Sequence, residues 1–254
     1  MLPLGSLDYS SVQWVILCLC GTLVGISKTG LPGLGTMLVV LLALTFPAEE
    51  STGLMLLMLA FADIFAVAYY RRHAKLSYIP KLLPWALLGI ATVSVAIRIL
   101  TDAHLGPIIG VIILVLLTLN LWWRHKNIGT SALPKHWIFA GVMGFMAGLT
   151  TQLANAAGPI IIIYLLAVGL PKYELIGTRA WYSLILNWIK IPIFISEGRI
   201  PFDTLKGDAV AVPLVALGAV VGILIIKRIP QKRFEIAIQI LAAIAGLKLV
   251  ASAL

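Results

Sequence analysis

Charge is scarce in this chain. Only 11% of its 254 residues are Asp, Glu, Lys or Arg, while 61% are hydrophobic; a soluble domain carries about 25% charged residues to keep its surface wet. A water-soluble globule is therefore excluded, and an all-α integral membrane protein is expected. Acid is scarcer than base, 10 residues against 19, for a formal charge of +9. That excess does not point to nucleic acid, because the Lys and Arg residues cluster between hydrophobic segments, as the positive-inside rule demands. The first 13 residues contain no Lys or Arg. The basic start of a cleaved signal peptide is thus missing, and the first hydrophobic segment is expected to stay in the mature protein. Cysteine is limited to Cys18 and Cys20, which point to different sides of a helix, and His73, His104, His125 and His136 all fall in loops or at segment ends. Neither arrangement suits thiol exchange or an intramembrane metal. With no nucleotide-binding loop and no nucleophile and base in view, no enzyme, metal or cofactor is expected.

What the chain has instead is a repeat. Adding 123 to Trp14, Gly21, Gly25 and Gly35 gives Trp137, Gly144, Gly148 and Gly158. The match continues with small shifts: Pro47, Glu50 and Gly53 pair with Pro171, Glu174 and Gly177 (offset 124), and Pro84 and Gly89 with Pro213 and Gly218 (offset 129). Three blocks in order define two homologous halves, repeat one over 14–123 and repeat two over 137–254, joined by a loop over 124–136.

Six segments approach the roughly 20 apolar residues that span about 30 Å of hydrocarbon. They are 53–70, 79–99, 105–123, 175–195, 210–226 and 234–254. The repeated segments 14–46 and 137–169 differ. Polar sequence interrupts each one, leaving arms of about 10 to 13 residues that reach only the bilayer midplane at about 1.5 Å per residue. Each is a re-entrant hairpin or a single broken crossing. Charge favours hairpins. Loops 71–81 (Arg71, Arg72, Lys75, Lys81), 124–136 (Arg124, Lys126, Lys135) and 227–233 (Lys227, Arg228, Lys232, Arg233) hold 11 of the 19 basic residues and belong in the cytoplasm. A broken segment that crossed would push the last basic loop outside. Hairpins instead put both termini outside, with Glu49, Glu50, Asp102, Glu197 and Asp203, and give each half an odd number of crossings. The halves are then inverted relative to each other. Eight hydrophobic segments in two inverted-topology repeats, each a broken or re-entrant hairpin plus three transmembrane helices, follow the plan of secondary transporters, in which the two breaks meet near mid-membrane.

The breaks read Ser27-Lys28-Thr29-Gly30-Leu31-Pro32-Gly33 and Thr150-Thr151-Gln152-Leu153-Ala154-Asn155-Ala156-Ala157-Gly158-Pro159. Irregular backbone at that depth is tolerated only against protein or a watery cavity. The second arm of each hairpin starts after Pro32-Gly33 or Gly158-Pro159, and such helix starts present free N–H groups and a partial positive charge. Ringed by Ser27, Lys28, Thr29, Gly30, Gly33, Thr150, Thr151, Gln152, Asn155 and Gly158, they form a donor-rich pocket suited to a small oxyanion. The structural alternative is that Gly and Pro only kink packed helices while the Thr hydroxyls bond back to carbonyls. The pairs Gly21/Gly25 and Gly144/Gly148 read as close helix packing. At mid-span stands Asp63, matched by Asn187 at offset 124. An acid there is costly when ionised, so it is either a proton-coupling group or a structural partner, for instance of Lys28. Lys190, three residues beyond Asn187, adds a second cation to the pocket or snorkels to the outer end. Arg98 and Lys248 read as snorkelling, and Arg179 as an inner-end anchor placed to greet anions.

Two stretches carry a family resemblance. The first runs Gly-Thr-Leu-Val-Gly-Ile-Ser-Lys-Thr-Gly-Leu-Pro-Gly-Leu-Gly from Gly21, and the second Gly-Phe-Met-Ala-Gly-Leu-Thr-Thr-Gln-Leu-Ala-Asn-Ala-Ala-Gly-Pro from Gly144. Over nearly its whole length the chain resembles the TauE/SafE family of sulfite exporters, also called domain of unknown function 81. The resemblance implies a permease of the bacterial inner membrane for small sulfur-containing anions such as sulfite or organosulfonates, driven by the proton gradient. Its partners would be the anion, protons and lipid, with a homodimer left open; the export direction follows only from the family name. Two other classes stay open. A passive anion channel would not need Asp63 to titrate, and a membrane-embedded thiol-redox or sulfur-carrier protein would need Cys18 or Cys20.

Overall fold

The computed structural model describes residues 9–30, 34–43, 45–96, 137–200 and 202–230, together with 233, 236 and 240. The expected span 105–123, the expected span 234–254 apart from 236 and 240, the loop 124–136, and Gly33, Arg98 and Lys248 lie outside the described residues. Among the described residues eight α-helices have defined ranges: α1 Ser11–Thr29, α2 Leu34–Ala43, α3 Ala48–Tyr70, α4 Ile79–Ala96, α5 Trp137–Ala154, α6 Gly158–Ala167, α7 Lys172–Ser196 and α8 Phe202–Arg228. Among the described residues there is no strand. Two short 3-10 turns, Arg71–His73 and Leu76–Tyr78, carry the basic loop between α3 and α4. α1 starts on a capping box, in which Ser10 Oγ accepts from the Gln13 N–H and Gln13 Oε1 accepts from the Ser10 N–H.

Spans within α1, α3, α4, α5 and α8 are long and apolar enough to cross a membrane, which makes this a multi-pass membrane protein. α7 has the length, 25 residues, but its buried Arg179, Asn187 and Lys190 keep it more polar than these five. The first arm of each hairpin is longer than the sequence reading expects. α1 has 19 residues and α5 has 18, about 28 Å at 1.5 Å per residue, against the roughly 10 to 13 residues expected. The reason is that Ser27 to Thr29 and Thr150 to Ala154 remain helical. Their hydroxyls bond inside the helix, Thr29 Oγ1 to Gly25 O at 3.0 Å and Thr150 Oγ1 to Met146 O at 2.9 Å. The second arms, α2 and α6, have 10 residues each. They return the chain to where it set out. Gln13 Nε2 donates to Thr45 O at 3.2 Å, the Tyr9 ring meets Phe46, and the Phe139 ring lies 5.5 Å from that of Tyr164.

α3 and α7 pair at the centre, with α1 packed on α8 and α4 on α5. The α3 span is 72% buried against 33% for those of α4 and α8. The outer helices instead expose apolar side chains such as Leu88, Val95, Leu217 and Leu224, a face suited to lipid. Glycine sets the closeness of the outer pairs. A methyl on Gly25 would overlap the Val215 carbonyl, and one on Gly148 the Ala86 carbonyl. In the same way Gly218 faces the Thr22 carbonyl and Gly89 that of Phe145. Each contact has its counterpart at the repeat offsets, since 22 + 123 = 145 and 86 + 129 = 215.

Candidate anion-binding cavity

Where α3 and α7 cross, Asn187 Nδ2 donates to Asp63 Oδ2 at 2.7 Å. The two residues are equivalent under the 124-residue offset, so the repeat meets itself at this point. Lys28, near the end of α1, places Nζ 2.6 Å from Asp63 Oδ1, with only 5% and 0% of the two side chains exposed. A buried acid at this depth is thereby paired.

Side chains from α3, α7 and the turn after α7 cover carbonyls at the C-termini of the two broken helices, where intrahelical donors run out; Thr151 O also accepts from the Asn155 N–H at 3.0 Å. Arg179 Nη1 donates to Ser27 O at 3.3 Å and Tyr70 OH to Thr29 O at 2.7 Å. At the other break Lys190 Nζ donates to Thr151 O at 2.6 Å and Arg199 Nη1 to Gln152 O at 3.1 Å. Cations at helix C-termini are favourable by charge as well as by hydrogen bond. Lys190 spends its other donors on Thr151 Oγ1 at 3.1 Å and Asn155 Oδ1 at 2.6 Å. Asn155 ends α5 with φ 51, a left-handed conformation that Asn tolerates better than most residues. Its amide donates to Thr52 O at 2.9 Å. α6 then begins with no side-chain cap and with Pro159 in its first turn. The N–H groups of Gly158 and Ile160 therefore have no acceptor within the helix.

Between the two breaks lies a cavity of about 40 Å³, space for roughly three water molecules. Ser27 and Lys28 form one side, the stretch from Asn155 to Pro159 the opposite side, and Arg179, Tyr182 and Ser183 of α7 the wall between. Arg179 and Tyr182 are 5% and 1% exposed, and Arg179 Nε and Tyr182 OH have no hydrogen-bond partner among the described residues. A methyl on Gly158 would lie 4.0 Å from Arg179 Nη2, which puts the guanidinium beside the start of α6. Arg179 and Tyr182, each with an unused donor, thus line the same small space as Lys28 and the start of α6. A buried donor without an acceptor costs about 1 to 3 kcal/mol, which a ligand oxygen would recover.

Of the residues singled out from sequence, Ser27, Lys28, Thr151, Asn155, Gly158 and Asn187 line the cavity. Others face elsewhere. Thr29 Oγ1 bonds to Gly25 O and, at 2.8 Å, to Ala219 O; Gly30 packs on Gly222; Thr150 bonds back within α5. Gln152 Nε2 donates to Ser94 Oγ at 2.9 Å and Glu197 Oε1 at 3.0 Å. Lys190 is wholly buried and does not snorkel. Asp63 stands behind Lys28, outside the wall. Sequence reasoning left Tyr182 and Ser183 out and placed Arg179 at the helix end. Their signal was present: Arg179, Ser183 and Asn187 recur every four residues, a polar stripe along one face of α7.

The sequence model of the sulfite exporter TauE/SafE family matches residues 17–249. The chain belongs to the TauE/SafE family of sulfite exporters. Neither the curated proteins nor the solved structures gave a match. The TauE/SafE match includes both breaks and the polar stripe of α7, so every wall of the cavity lies inside the shared region.

Proposed function

We propose that this protein carries sulfite, or a closely similar sulfur oxyanion, across the membrane in a proton-coupled cycle, and that the anion sits in the cavity between the breaks. The observation that carries this reading is the pair of unpartnered buried donors, Arg179 Nε and Tyr182 OH, in the wall of one cavity. At about 40 Å³ the space suits an anion of four or so heavy atoms better than an organosulfonate with a carbon chain. Neither Cys18 nor Cys20 lines it, so the sulfur-carrier reading has no thiol at the site. Asp63 is the proton-coupling group on this reading, with Lys28 and Asn187 as its partners.

The mirrored glycine contacts and the self-mated Asp63 and Asn187 support two inverted-topology repeats, each a re-entrant hairpin plus three crossings. The three basic loops support a cytoplasmic side bearing them and both termini outside, in the bacterial inner membrane. Flux into proteoliposomes of sulfite, thiosulfate, sulfoacetate and chloride tests the substrate. Sulfite flux that falls in Arg179→Gln is expected; chloride as the preferred anion, or sulfite flux unaffected by that change, would overturn the reading. Sulfite flux that ignores an imposed pH gradient would make the protein a passive anion channel.

A further inference from the structure

Lys28 belongs to two neighbourhoods at once. It lines the cavity, while its Nζ lies 2.6 Å from Asp63 Oδ1 on the far side. The carboxylate's other oxygen accepts from Asn187 Nδ2 at 2.7 Å. An oxyanion in the cavity and the Asp63 carboxylate are therefore rival acceptors for one ammonium. We infer that protonation of Asp63 releases Lys28 to the anion, so that one proton and one anion bind together, each strengthening the other, instead of taking turns. The inference rests on the cavity being the substrate site.

The step is a proton transfer and a change of hydrogen-bond partner. Asp63 takes a proton from water, Lys28 stays an ammonium, and its N–H donors move from the carboxyl to the anion. Asn187 suits both states, because an amide donates through nitrogen to a carboxylate and, turned over, accepts through oxygen from a carboxylic acid. Charge sums favour the same order. Lys28, Arg179 and an ionised Asp63 total one positive charge, and with Asp63 protonated they total two. Among the described residues the charged groups acting on Asp63 are Lys28 from α1 and Arg179 and Lys190 from α7; α2 and α8, also packed on α3, bring none. Arg179 keeps its charge and Lys190 is committed to Thr151 and Asn155, so Lys28 is the group free to change sides. Competition would require proton and anion to share one place, and here Asp63 does not line the cavity that Lys28 lines. Linkage makes the effect reciprocal: the factor by which a proton raises anion affinity is the factor by which the anion raises proton affinity.

Sulfite titrated calorimetrically into the purified full chain, in buffers of different ionisation enthalpy, gives the protons taken up per anion bound. Asp63→Asn run in parallel removes the contribution of sulfite's own ionisation. Wild type should take up more protons than Asp63→Asn, and its affinity relative to the variant should fall as pH rises, by up to about tenfold per pH unit, the limit for one linked proton. Asp63→Asn should bind sulfite more tightly than wild type at mildly alkaline pH. Equal proton uptake in the two proteins, or looser binding by folded Asp63→Asn, would overturn the inference while leaving the cavity as the site. If Asp63→Asn does not fold, Lys28→Gln takes its place: weaker binding whose proton uptake no longer exceeds that of free sulfite is expected, and undiminished uptake would refute the exchange. Absence of wild-type sulfite binding, or binding indifferent to Arg179→Gln, would overturn the cavity reading itself.

Discussion

Arg179→Gln separates an anion site from a helix cap, because Arg179 does both jobs. Its Nη1 covers Ser27 O at 3.3 Å, while its Nε is buried without a partner among the described residues, and the side chain lines the cavity. One charge-assisted hydrogen bond is worth about 1.5 to 3 kcal/mol, which is about 10- to 150-fold in Kd at roughly 1.4 kcal/mol per factor of ten. Loss of the cap costs stability as well, about 1 kcal/mol for a carbonyl deprived of its donor. Arg199→Gln is the matched control. It strips the corresponding cap from Gln152 O at 3.1 Å and breaks the contact of Arg199 Nε with Glu197 at 3.0 Å, yet Arg199 does not line the cavity. Calorimetric titration with sulfite should therefore show weakened binding in Arg179→Gln alone, while thermal unfolding in detergent shows both variants folded and both less stable. A folded Arg179→Gln that binds like wild type, or an Arg199→Gln that loses as much affinity, would refute the assignment.

Further outcomes test the fold and the coupling. Gly25→Ala and Gly148→Ala should each lower stability by about 1 to 3 kcal/mol or more through overpacking, because either methyl would overlap a carbonyl of the neighbouring helix. Gly35→Ala, whose methyl would lie in ordinary contact 3.6 Å from Ser27 Oγ, should unfold no lower than wild type, and equal effects at all three positions would contradict the packing. Asp63→Asn should retain sulfite exchange between equal pools but lose pH-driven accumulation; unchanged accumulation would remove Asp63 from the mechanism. Cysteines placed at Ser6 and Ser252 should react with an impermeant thiol reagent in intact cells, and protection of either would overturn the outside placement of the termini.

Much of the packing was legible because glycine and proline carry it. Gly25 and Gly148 occupy places where two backbones touch, and only the absence of a side chain permits that, so their recurrence at one offset is enough to mark equivalent helix contacts. The breaks were located less well. Thr and Ser in apolar sequence read equally as helix interruption or as hydroxyls bonded back to the preceding turn, and the second outcome keeps Thr29 and Thr150 helical. The actual interruption of the second hairpin is confined to the stretch around Asn155, where the backbone turns left-handed. The site was half legible for a related reason. A break announces its own residues, such as Lys28 and Asn155, but the opposite wall comes from an unbroken helix, and Arg179 four residues before Ser183 looks like any basic residue near a helix end. Which break residues turn inward depends on helix rotation, and Gln152 and Lys190 are drawn to Glu197 and Asn155 by contacts that span tens of residues in sequence.

On the reading of two homologous halves, their charge patterns differ, and the difference has a direction. The position of Lys28 in the first half is held by Thr151 in the second, since 28 + 123 = 151, and the position of Asp63 is held by Asn187. The first half thus contributes the ion pair, while the second contributes a hydroxyl and an amide at the equivalent places. Thr151 is served by Lys190 from α7, whose counterpart at offset 124 is the apolar Ala66. If both halves carried the pair, two carboxylates would face each other across the contact between α3 and α7, where hydrogen-bonded atoms now stand 2.7 Å apart. Like charges at that distance cannot both remain ionised, so such a pair would hold a proton permanently. Replacing one acid by an amide removes that conflict. It leaves, among the described residues, one carboxylate at the crossing beside the Lys28 ammonium, the pair that the proposed exchange requires.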